Sequence, residues 1–174
     1  MEGVLPRPAI SGGCGEMKRF KIVLLHYSCP PVVGGVEEVL SQQAKVFSKR
    51  GNKVKVLAGA GERFLNNVDV ETTPLLGSRN DEIVRLHEKA VEREDTEPLL
   101  DMIDRIYEYL KNAIRGFDVL IVHNVLTMHY NLPLTYALHR IADDGFPVIN
   151  SVSYTHLRAH ETSLHLVCRL LLEK

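Results

Sequence analysis

Two short runs, FKIVLL at 20–25 and FDVLIV at 117–122, are apolar at nearly every position, not at every second one. A strand with one wet face alternates; a strand apolar throughout is buried on both faces, which is the situation of a parallel sheet. Parallel strands need long crossover connections, and the chain supplies them. Val36, Val39, Leu40, Ala44 and Phe47 recur at helical spacing, and Gly51 stands where a helix ends in a left-handed residue. Val54, Val56 and Leu57 then form a second strand, so strand, helix and strand fit within about forty residues, with the right-handed crossover such units adopt.

The same alternation continues. Residues 69–76 supply a short third strand, and 81–115 carry two helical stripes separated by Thr96-Glu97-Pro98, a cap and first turn. The FDVLIV strand leads into a loop at 123–132 and a helix marked by Leu134, Leu138 and Ile141 that ends near Gly145, and Pro147-Val148-Ile149 opens a fifth strand. The reading is α/β: one domain with a Rossmann-like, doubly wound, mostly parallel sheet.

A chain of 174 residues with 45% hydrophobic side chains can build one such core. Its 21 basic and 22 acidic residues leave a net charge of −1, which excludes a dedicated nucleic-acid binder. Cys14, Cys29 and Cys168 form neither a paired framework nor a metal motif, so no metal is expected and a reducing cytoplasm suits the chain. The longest stretch without acid or base, 119–138, is interrupted by His123, Asn124, His129, Asn131 and Pro133, and so is no membrane span.

The two ends differ in kind from the middle. Residues 1–16 hold Pro6, Pro8, Gly12, Gly13 and Gly15 without periodicity, which makes Met17 the expected start and 1–16 a disordered or mis-assigned leader. Residues 153–174 shift in composition, and the last nine read as a translated short-read sequencing adapter running into poly-A. The domain is therefore placed at 17–152, with 153–174 as a non-native tail. The alternative for the tail is a genuine amphipathic helix, since Leu164, Val167, Leu170 and Leu171 fall at helical spacing.

In a sheet of this kind ligands sit outside the carboxyl ends of the strands, which directs attention to the loops 26–35 and 123–132. The first places Gly34 and Gly35 against a helix N-terminus, where free N–H groups favour phosphate; Gly-Gly by itself is more often a tight turn with positive φ. No dinucleotide fingerprint follows the first strand, no acid closes the second at Leu57-Ala58-Gly59, and no Gly-Lys-Ser/Thr occurs. No bound cofactor is expected.

The segment PPVVGGVEEVLSQQAKVFSKRGNKVKVLAG resembles the opening of the N-terminal domain of family-4 glycosyltransferases of the GT-B fold, and FDVLIVHNVLTMHYNLPLTYALHRIA resembles a later strand and helix of that domain. The resemblance spans roughly 18–151. It implies transfer of a sugar from a nucleotide-diphosphate sugar to a sugar, lipid or other hydroxyl acceptor, with retention of configuration and no obligatory metal. It also implies a C-terminal partner domain that holds the donor, and a cytoplasmic location, peripheral to the inner membrane face. On this resemblance Gly34 and Gly35 form the loop that approaches the donor diphosphate, and Glu37 is the motif acid or a complement to the helix dipole. His123 and Asn124 contact acceptor or sugar, or else anchor their loop; His26 and Tyr27 are weaker candidates of the same kind. The acidic pair that binds the donor sugar belongs to the second domain, and His156 takes no role. The expectation is an N-terminal, acceptor-side fragment inactive by itself, with catalytic residues not assigned. The competing expectation is a non-catalytic module that binds a phosphorylated ligand.

Overall fold

The computed structural model describes residues 19–78, 80–91, 96–128 and 130–152, so the expectations for 1–16 and 153–174 lie outside the described residues. Among the described residues five strands, β1 (Lys21–His26), β2 (Lys53–Ala58), β3 (Asp69–Thr72), β4 (Val119–His123) and β5 (Val148–Ser151), form one sheet in the order β3-β2-β1-β4-β5. Every pairing is parallel. This is the Rossmann-like α/β fold expected from the uniformly apolar runs.

The helices are α1 (Gly35–Lys49), α2 (Asp81–Val91), α3 (Glu97–Ala113), the single turn α4 (Val125–Met128) and α5 (Leu132–Asp143). β1, β2 and β4 divide their side chains between two cores. Ile22 and Leu24 of β1 join Val54, Val56 and Ile121 under Leu40 and Ala44 of α1. Val23 and Leu25 join Leu57, Leu120 and Val122 under Ile106 and Leu110 of α3 and Leu138 and Ile141 of α5. The register fixes this division: Leu24 lies beside Val56 and Ile121, and Leu25 beside Leu57 and Val122.

Local signals held at most boundaries. Gly51 and Gly145 follow α1 and α5 with φ of 82° and 86°, the left-handed stop that glycine permits. Two details differ from the sequence reading. The segment 69–76 is a four-residue strand followed by a 3-10 turn at Pro74–Leu76, because Pro74 cannot donate to a ladder. The loop 123–132 contains α4, too short to show a period in sequence.

Candidate functional site

The chain leaves β1 by α1 on one face and leaves β4 by α4 and α5 on the other, so β1 and β4 bracket the point where the winding reverses. A crevice opens there, outside the carboxyl ends of adjacent strands. The cleft has a volume of about 600 Å³, and its wall includes His26, Ser28, Gly35, Glu37, Asn80 and Tyr130.

His26 ends β1 and is 5% exposed. Its Nδ1 lies 2.8 Å from the carbonyl oxygen of His123, which can only accept, so Nδ1 carries the proton and donates. That leaves Nε2 facing the cleft, 3.9 Å from Glu37 Oε1. Burial lowers the His26 pKa, outweighing the carbonyl and the nearby carboxylate of Glu37, both of which raise it. The ring is therefore neutral at pH 7.

Glu37 sits in the first turn of α1 and is itself buried. Ser28 Oγ donates to its Oε1 at 2.5 Å. A Cβ on Gly34 would overlap the Glu37 carboxyl group, so the missing side chain at Gly34 is what seats the acid. Gly34 is extended, with φ of −173°, and Gly35 is not among the positive-φ residues; the pair is not a left-handed turn. Gly35 differs from its neighbour: a Cβ there would meet nothing within 4 Å. The N-cap residue Gly34 gives α1 no side-chain cap, and Gly34, Gly35 and Val36 of this helix beginning line the cleft.

The structure brings Gly34, Gly35, Glu37, His26 and Tyr27 together along the cleft. The side chains of His123 and Asn124 stand behind it. His123 is fully buried; its main-chain carbonyl orients His26 while its own ring does not line the cleft. Burial, with the adjacent His26, lowers its pKa to about 4. Asn124 is also fully buried and adopts φ of 58°, a left-handed conformation that asparagine tolerates. Its carbonyl accepts from Thr127 and Met128 N–H, which turns β4 into α4. The bonds shown at this turn come from their main-chain carbonyls.

Sequence reasoning passed over Ser28 and Asn131. Asn131 is fully buried: its Oδ1 caps α5 at Leu134 N–H, and its Nδ2 donates to the carbonyls of Leu75 and Gly77, 2.9 Å each. It thereby fastens the far wall of the cleft to α5. The pattern Asn-Leu-Pro was a legible cap signal; the two bonds across more than fifty residues were not. Gly59 and Gly77 also meet in this wall, where a Cβ on Gly59 would run into the Gly77 backbone and the Tyr27 carbonyl. Among the described residues no cluster of His, Cys, Asp or Glu is disposed to hold a metal, and no helix is long and apolar enough to cross a membrane.

No family model matches the chain, and no curated protein matches it. Among solved structures it is similar to the C-terminal domain of a hydrogenase from Pyrococcus furiosus, at 14% identity and a TM-score of 0.39, over 78% of this chain and 94% of that one. A likeness at that level carries no argument about the site.

Proposed function

We propose that the cleft binds the diphosphate of a nucleotide-diphosphate sugar together with a hydroxyl acceptor, and that the chain is the acceptor-side domain of a retaining glycosyltransferase. The observation that carries this reading is the pairing of two unlike features at the reversal point of the sheet. One is an uncapped helix N-terminus beside a glycine with open space in front of it, which suits phosphate oxygens. The other is a hydrogen-bond acceptor, the buried Glu37 carboxylate that Ser28 holds at the cleft wall, which suits the hydroxyl groups of a sugar. The resemblance of 30–59 and 117–142 to family-4 enzymes supports the same assignment.

The test is binding to the chain itself. Inorganic pyrophosphate should perturb the amide resonances of Gly35 and Val36 saturably, and Gly35→Ala should weaken that binding roughly tenfold or more, the loss expected for one hydrogen bond to a charged group. Its melting temperature should not fall, because the new methyl meets open space. Binding unaffected by Gly35→Ala rejects the phosphate role of the loop. Pyrophosphate binding with no response to any glycoside acceptor instead identifies a phosphate-binding module without transferase function. Fusing a donor-holding domain and assaying sugar transfer completes the test.

A further inference from the structure

The cleft combines two features that oppose one another toward an anion. The α1 N-terminus attracts it, and the carboxylate of Glu37, buried in the same first turn, repels it. The Nε2 of His26, in a side chain more than nine-tenths buried, lies in the same cleft 3.9 Å from Glu37 Oε1, beyond hydrogen-bond distance. We propose that His26 is an anion-binding residue of this cleft and takes up one proton from solvent at Nε2 as a dianionic phosphate binds, so that the imidazolium bridges ligand and Glu37. The proposal rests on the anion-binding reading above and adds to it a residue, a protonation state and a linkage.

The geometry restricts the proton to one atom. Nδ1 already donates to the His123 carbonyl, so the ring is held in one orientation and only Nε2 can gain a proton. Ser28 and the missing side chain of Gly34 keep Glu37 beside that atom. Three neighbours do not take the proton instead. His123, on β4, is held neutral by burial and by His26. Tyr27, whose ring centroid is 5.4 Å away, is held protonated by burial. From β2 the residue opposite His26 is Ala58, which does not titrate. Without ligand, burial keeps His26 neutral near pH 7; an arriving dianion supplies the opposite charge that reverses this preference.

Sulfate tests the linkage cleanly, because it remains a dianion from pH 5.5 to 8. Titration calorimetry of the chain with sulfate, in buffers of different ionisation heat, should show uptake of up to one proton. The affinity should fall as pH rises, by roughly fivefold or more between pH 6 and pH 8. His26→Asn retains a donor for the His123 carbonyl but cannot titrate, so it should still bind sulfate, more weakly, with no proton uptake. Glu37→Gln removes the repulsion and should raise affinity at pH 8 while flattening the profile. Sulfate binding without proton uptake, or uptake that survives in His26→Asn, overturns this proposal and leaves the anion-binding reading standing. Absence of any sulfate binding across the range overturns both.

Discussion

An imidazole sealed in a protein interior without partners costs free energy, and His123 is in that position: fully buried, with neither ring nitrogen hydrogen-bonded among the described residues. His123→Leu should therefore raise stability at pH 7 by about 1–3 kcal/mol, read from the urea midpoint. The pH dependence has a definite sign. The folded pKa is about 4 against a reference of 6.5, so between these values the unfolded chain binds more protons and stability falls as pH falls. The wild type should lose roughly 3 kcal/mol through this group on going from pH 7 to below pH 4, and His123→Leu should lack that component. A variant that is less stable at pH 7, with an unchanged acid slope, would show that the ring is satisfied in solution. His26 lies beside it yet plays a different part, because one ring borrows the other's backbone carbonyl and faces the cleft.

At the scale of elements, three helix beginnings near the cleft differ in capping: one has no cap from its N-cap side chain and two are capped by asparagines. The α1 N-terminus has no side-chain cap, α2 is capped by Asn80 Oδ1 at Glu82 N–H, and α5 by Asn131. Asn131 also reaches back to the turn at Pro74–Leu76, so one buried side chain joins two walls. Asn131→Ala should cost about 2–4 kcal/mol, a lost cap of ~1 kcal/mol plus the stranded carbonyls of Leu75 and Gly77. Hydrogen exchange at Leu76 and Gly77 should accelerate more than exchange in β1. Equal acceleration throughout would mean that the residue supports the fold globally and the cleft wall only incidentally.

For the whole molecule, the sheet order sets a gradient of stability. β1 is paired on both sides and its residues 22–25 are buried from both faces, whereas β3 and β5 are the edges among the described residues, with exposed or half-buried side chains. Amides of Ile22–Leu25 should exchange only through global unfolding, and those of Asp69–Thr72 and Val148–Ser151 through smaller openings. Native-state hydrogen exchange in low denaturant measures this directly. Protection of β5 equal to that of β1 would mean that a further layer covers Ile149, which is 52% exposed here.

The sequence by itself determined the class of fold, because burial on both faces is written locally: a run such as Ile22-Val23-Leu24-Leu25 has no polar face to show to water. It also determined the helix ends, since the left-handed stops at Gly51 and Gly145 depend on the residue's own backbone freedom. The cleft was legible as two loops, 26–35 and 123–132, but the division of labour inside them was not. Gly34 and Gly35 are adjacent in sequence, yet one makes room for Glu37 and the other faces open space, a difference created by where the Glu37 side chain folds back. His26 and His123 each end an apolar strand; only the parallel register, which sets Leu25 beside Val122, decides that the first ring faces the cleft and the second is sealed behind it. Periodicity reports which face of an element is dry. Which polar groups meet across 97 residues, as His26 and His123 do, is fixed by strand pairing, and that information exists only once the chain has folded.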